Sequence, residues 1–159
     1  MEDSEDLLHK AKEYAFFLLK FRQRSEKELY SRLKKKKFPE RVIECTLTFL
    51  KEKKFIDDIV FARVWVESRL KKPLGIKRIN QELRLKGIDK EIIQNALDDI
   101  KEDYSETEVV TKIAKEKLKR LKSSDPLKAR NRVYAYLLRR GFSAQTVYDV
   151  LNNLCRQTS

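Results

Sequence analysis

The chain has 159 residues, of which 41% are hydrophobic and 39% charged, with three glycines, three prolines and a formal net charge of +12. So few turn formers and so many charges exclude a sheet-dominated fold and point to a mostly helical, heavily solvated protein with no strands of consequence. The excess of positive charge favours a polyanionic partner: nucleic acid, a nucleoprotein, an anionic membrane or an acidic protein surface.

In chain order, the acidic start "MEDSEDLLHK" lacks the basic-then-apolar order of a signal peptide. The longest apolar run, Tyr14 to Leu19, is far shorter than the roughly 20 residues that span a bilayer. A cytoplasmic chain with no membrane partner is expected. A first helix is predicted over Ser4 to Arg22, followed by a second opening at "SEKE" (Ser25 to Glu28), whose spacing is that of a capping box. Asp57 and Asp58 introduce a helix over Asp58 to Leu70, as an N-cap pair and not as a Mg²⁺ site. Gly75 to Gly87, "GIKRINQELRLKG", encloses a short helix with Ile76, Ile79 and Leu83 on one face and Lys77, Gln81 and Arg84 on a basic flank. Asp89 caps the next helix, and "SETE" (Ser105 to Glu108) opens one predicted over Glu106 to Leu121. Asp125 followed by Pro126 is an N-cap and first helical position, and Ser143 caps the last helix.

These elements repeat. A shift of 50 residues lays Ser25, Leu29, Leu33, Phe38, Val42, Ile43 and Leu47 on Gly75, Ile79, Leu83, Ile88, Ile92, Ile93 and Leu97. A shift of 54 lays Ile79, Leu83, Gly87, Ile88, Ile93 and Leu97 on Val133, Leu137, Gly141, Phe142, Val147 and Leu151. The expected fold is all-α: three tandem three-helix repeats, residues 1–55, 56–104 and 105–159, stacked into an elongated, curved array. Leu33/Phe38, Leu83/Ile88 and Leu137/Phe142 have the five-residue separation of the apolar pair that closes a Schellman turn. The first copy carries Lys37 where the others have glycine, at a cost on the order of 1 kcal/mol if Lys37 is left-handed. The aromatics Phe16, Phe17, Phe61 and Trp65 fall at helical spacing and are expected in the core. Tyr134 and Tyr136 point to opposite sides of one helix, so one should be the more exposed. Cys45 and Cys155 are expected as reduced packing thiols.

The middle helices hold most of the net charge: +4 for 25–37, +3 for 75–87 and +4 for 125–141, against +12 for the chain. Lys27 and Lys34 correspond to Lys77 and Arg84, giving the first two copies a shared basic flank. In the third copy Leu138 takes the Arg84 slot, and Arg132, Arg139 and Arg140 supply charge at other angles. The candidate contact residues are therefore Lys27, Lys34, Lys77, Arg78, Arg84, Lys86, Arg132, Arg139 and Arg140. A single histidine, His9, and three isolated glycines leave almost no material for metal sites, His-based catalysis or a phosphate loop, so neither an enzyme nor a cofactor is expected. The rival reading is an independent helix-turn-helix DNA-binding protein. Its recognition helix should be basic, whereas "DKEIIQNALDDIKEDY" is acidic and "SAQTVYDVLNNLC" nearly uncharged.

"FIDDIVFARVWVESR" followed by "GIKRINQELRLKGI" is similar to the signature of the RecX family, bacterial regulators of the RecA recombinase. The matching positions are the Asp57/Asp58 pair, Phe61-Ala62, Arg69, Gly75, Arg78-Ile79, Glu82-Leu83 and Lys86-Gly87-Ile88. "RQRSEKELYSRL" resembles the family's first-repeat pattern, and the resemblance runs from about Ala11 to Leu154. It implies tandem three-helix repeats, binding along the groove of the RecA filament on single-stranded DNA, and inhibition of its ATPase and strand exchange, which modulates recombination and DNA repair. A monomer acting by occupancy, without a metal, is the corresponding expectation.

Overall fold

The computed structural model describes residues 4–121 and 125–157, and no strand occurs among them. The helices among the described residues are α1 (Ser4–Phe21), α2 (Glu26–Lys35), α3 (Glu40–Glu52), α4 (Asp58–Leu70), α5 (Ile76–Leu85), α6 (Lys90–Asp98), α7 (Glu106–Arg120), α8 (Pro126–Arg139) and α9 (Ala144–Gln157). They form three consecutive three-helix repeats, as the periodicity requires. Packing divides the chain into two compact units. One holds the residues up to Trp65 together with Leu83–Gln94; the other holds Val66–Glu82 together with the residues from Asn95 onward.

In the first unit Ala11, Ala15 and Leu18 of α1 meet Leu29 and Leu33 of α2 and Val42, Ile43, Leu47 and Leu50 of α3. The core of the second unit gathers Val110 and Ala114 of α7, Val133 and Leu137 of α8, then Phe142, Val147, Val150 and Leu151. Leu33, Leu83 and Leu137, equivalent in the three copies, are all fully buried. Most of the predicted caps form, the exception being Ser143, whose side chain makes no cap bond and whose N–H donates to Glu106 Oε1 at 2.7 Å. Ser25 makes the reciprocal capping box with Glu28, and the Ser105 hydroxyl accepts from the Glu108 N–H at 3.3 Å. Asp125 accepts from Leu127 and Lys128, Asp89 accepts from the Glu91 N–H at 2.8 Å, and Asp57 accepts from the N–H groups of Ile59 and Val60. Asp58 does something else: its Oδ1 accepts the Glu26 N–H at 3.0 Å, tying the start of α4 to the start of α2. Burial at that position raises its carboxyl pKa.

Schellman turns close all three middle helices, with Phe38, Ile88 and Phe142 donating to Leu33, Leu83 and Leu137. Lys37 adopts φ +64°, Gly87 +75° and Gly141 +85°. A fourth such turn ends α3, where Lys54 has φ +56° and the Phe55 N–H donates to Leu50. The Leu50/Phe55 pair carries the same five-residue spacing in the sequence, but with lysine at the left-handed position.

Two of the scarce glycines answer to packing as well as to conformation. The Gly75 N–H donates to the Arg140 carbonyl at 2.8 Å, and a Cβ on Gly75 would overlap the Gly141 carbonyl and the Phe142 nitrogen. A Cβ on Gly141 would in turn overlap the Arg78 backbone. Gly75 thus opens α5 as expected, but the residue type is imposed by backbone meeting backbone, which no rotamer change relieves. Quasi-equivalent residues meet in the first unit, where the Ser25 hydroxyl donates to the Lys86 carbonyl at 2.6 Å and Gly87 lies against the Lys27 stem. Lys37 takes the equivalent left-handed position in the first copy. Its side chain is exposed, and only the φ penalty remains.

Several core expectations are corrected. Phe61 is buried and stacks on half-buried Trp65 at 5.6 Å, whereas Phe16 and Phe17 are 37% and 57% exposed, and Phe21 68%. The reason is that α1 packs most extensively on α3, and the small side chains Ala11 and Ala15, one turn apart, take that face and turn the phenylalanines outward. Neither Cys45 nor Cys155 forms a disulfide and both are exposed, Cys45 because the buried stripe of α3 passes through Val42, Thr46 and Leu50 and leaves it outside. Tyr134 and Tyr136 are both half-buried, so neither is the exposed member of a pair.

Leu83→Ala should lower unfolding free energy by about 2 to 5 kcal/mol in chemical denaturation, the range for a core leucine. Lys37→Gly should raise it by about 0.5 to 1 kcal/mol, because relief of the left-handed strain exceeds the entropy glycine adds to the unfolded chain.

Candidate functional site

The middle helices present their cations in two different ways. Lys77 and Arg84 are exposed on the outer flank of α5, and Arg132 and Arg139 on α8. Among the described residues no carboxylate pairs with any of the four. Arg78 is partly neutralised, its Nε 3.4 Å from Glu82, whose other oxygen takes the Arg69 Nε at 2.7 Å. Lys34 donates to the Tyr30 hydroxyl at 3.0 Å and stands 4.0 Å from Glu40. The Tyr30 contacts, then Glu40, raise its pKa. Arg140 is half-buried beside the Tyr136 ring, 5.3 Å from its centre, and the Lys117 ammonium lies 3.9 Å from the same ring.

Lys86 is held inside the fold. Its ammonium donates to Glu28 at 2.7 Å and lies 4.3 Å from the centre of the Trp65 ring, while its carbonyl accepts the Ser25 hydroxyl. Glu28 therefore has two tasks. It completes the capping box, accepting the Ser25 N–H at 3.1 Å, and it also receives both terminal nitrogens of Arg22, at 2.9 and 3.2 Å. Burial by itself raises the Glu28 pKa, but the hydrogen bonds from Arg22, Lys86 and Ser25 prevail and hold it down at about 2.

Around this pair lies an open cleft of about 380 Å³ whose wall carries Arg22, Arg24, Lys27, Arg32, Lys35 and Lys86 against the single carboxylate of Glu28. Arg24 hydrogen-bonds the Leu18 carbonyl at 3.4 Å. Partial burial and then its cationic neighbours Arg22 and Arg32 lower its pKa, a mark of like charges held close. Lys27, Arg32 and Lys35 have no carboxylate partner among the described residues. Of the predicted contact residues, the cleft brings together only Lys27 and Lys86. It adds Arg22 and Arg24, ahead of α2, and Arg32 and Lys35 on α2 itself, which the sequence reading left out because it took only the flank of Lys27 and Lys34 that corresponds to Lys77 and Arg84.

Among the described residues, no helix is long and apolar enough to cross a membrane. No group of three or more His, Cys, Asp or Glu side chains among them is placed to hold a metal ion.

Family models match in series along the chain: the first three-helix domain of RecX over residues 11–50, the second over 57–97 and the third over 104–151. The regulatory protein RecX of Chlorobium phaeobacteroides (strain BS1) is 37% identical over 157 residues, covering 98% of this chain and 99% of its own. The regulatory protein RecX of Mannheimia succiniciproducens is 33% identical and covers 88% of this chain and 91% of its own. A crystal structure of regulatory protein RecX superposes with a TM-score of 0.81 at 26% identity, over 94% of this chain and 74% of that one. The crystal structure of RecX from Lactobacillus salivarius gives 0.80 at 23% identity, over 94% and 97%, a likeness of fold.

Because the folded Glu28 pKa lies below its ordinary value of 4.5, its bonds stabilise the fold fully above that pH and are lost as the pH falls toward 2. Glu28→Gln should therefore cost on the order of 2 to 3 kcal/mol at pH 7. The gap between variant and wild type in thermal melts should narrow steadily below about pH 5.

Proposed function

The chain belongs to the RecX family, and from that premise we propose that it binds the RecA filament on single-stranded DNA and inhibits its ATPase and strand exchange. The observation that carries this reading is the exposure of the middle-helix cations Lys77, Arg84, Arg132 and Arg139, each without a carboxylate partner among the described residues. Exposed charges that the described fold does not neutralise are open to a polyanionic partner, and a nucleoprotein filament offers a polyanion in repeating register.

The protein acts by occupancy, as a monomer in the cytoplasm. Contact with several recombinase subunits at once favours one filament state over another, since a ligand shifts an equilibrium only through its differential affinity for the two states. Asp57 and Asp58 cap and tie helices in this scheme and take no part in chemistry. The helix-turn-helix rival finds little support in α6, which exposes Glu91 and Asp98 where a recognition helix needs cations.

A titration of the protein into RecA ATPase on single-stranded DNA should lower the steady-state rate to a plateau, and an unchanged rate at saturating folded protein refutes the proposal. Lys77→Glu/Arg84→Glu should keep helical content and Tm, both side chains being exposed, yet weaken inhibition about tenfold or more. Rising salt should weaken wild-type inhibition in parallel. Glu91→Lys/Asp98→Lys is the matched control, with inhibition unchanged or slightly stronger.

A further inference from the structure

The cleft lies beside α2, and two independent features define what fits it. The first is charge. Lys27, Arg32 and Lys35 line one wall without a carboxylate partner among the described residues, and Glu28 is already committed to Arg22 and Lys86. Lys27 and Lys35 are two turns apart on α2, so their Cα atoms are separated by about 12 Å along the helix, with Ser31 between them. A ligand that satisfies this wall carries negative charges in series.

The second feature is aromatic. Phe17 and Phe21, one turn apart on α1, are 57% and 68% exposed, with ring centres 5.1 Å apart. Phe21 is the last residue of α1, and the next residue, Arg22, already lines the cleft. Two exposed phenylalanine rings are costly in water and add nothing to recognition of carboxylates. Unpaired bases, by contrast, stack on such rings, and a cationic groove flanked by exposed aromatics is the arrangement that holds a single strand. A duplex keeps its bases stacked on one another and leaves the rings unused.

We propose that this cleft is a binding site for a single-stranded nucleic-acid segment, with backbone phosphates on Lys27, Arg32 and Lys35 and bases stacked on Phe17 and Phe21. The site rests on the filament reading for its setting, but it makes a contact to the strand itself, outside the middle-helix flanks of the second and third repeats.

Fluorescence anisotropy with dye-labelled oligothymidylate, the full chain and no recombinase tests it. Lys27→Gln/Arg32→Gln/Lys35→Gln should bind at least about tenfold more weakly, and the slope of log affinity against log salt should shrink by about 2. Phe17→Leu/Phe21→Leu should bind about five- to a hundredfold more weakly at an unchanged slope, since stacking carries no counterion release. The charge-matched Lys112→Gln/Lys115→Gln/Lys119→Gln on α7 should lose far less, and melting curves should show all three variants folded.

Equal losses in the two lysine and arginine triples overturn the site, because net charge alone then explains them. Unlabelled polyglutamate or a duplex of the same length competing as well as oligothymidylate overturns it too, in favour of an acidic protein segment or double-stranded DNA. Wild type failing to bind the oligonucleotide refutes the cleft, while RecA ATPase that still falls on addition of the same preparation leaves the regulatory reading standing.

Discussion

The fold depends on backbone approaching backbone where the middle helix of one repeat starts beside the end of the next repeat's middle helix. In one case the Gly75 N–H reaches the Arg140 carbonyl, and a Cβ at either Gly75 or Gly141 overlaps main-chain atoms across the contact. In the other the Ser25 hydroxyl reaches the Lys86 carbonyl, and Gly87 accepts the Lys27 stem against it. Both contacts satisfy a carbonyl left over at a helix end, and burial makes that satisfaction compulsory. Each repeat is too small to bury much apolar surface, so these shared contacts are what convert short helical units into larger cores.

Glu28 links this architecture to the surface charge. By accepting from Arg22, Lys86 and the Ser25 backbone, it converts two of six clustered cations into structural groups, while Lys27, Arg32 and Lys35 stay exposed. Without it the cluster would hold like charges together with no carboxylate to offset their repulsion. The same division recurs in α5. Glu82 takes Arg69 and Arg78, while Lys77 and Arg84 stay exposed. Charges spent on folding in this way are not available to a partner. The net +12 overstates the free charge.

The sequence by itself determined the helices, their caps and the three-fold recurrence, because these rest on local chemistry. Ser25, Asp57, Asp89 and Asp125 bond N–H groups two or three residues away, and apolar spacing fixes the buried face of Leu33, Leu83 and Leu137 without reference to distant chain. The basic character of the middle helices was legible for the same reason. Only the tertiary structure decided which cations converge: Glu28 and Lys86 are 58 positions apart, and neither periodicity nor composition encodes that meeting. It also decided that Gly75 is glycine for a contact 65 residues away, and that Phe16 and Phe17 turn outward because α1 presents alanines to α3. Local interactions are written in neighbouring residues, whereas close packing between distant segments is settled by which surfaces meet once the chain has folded.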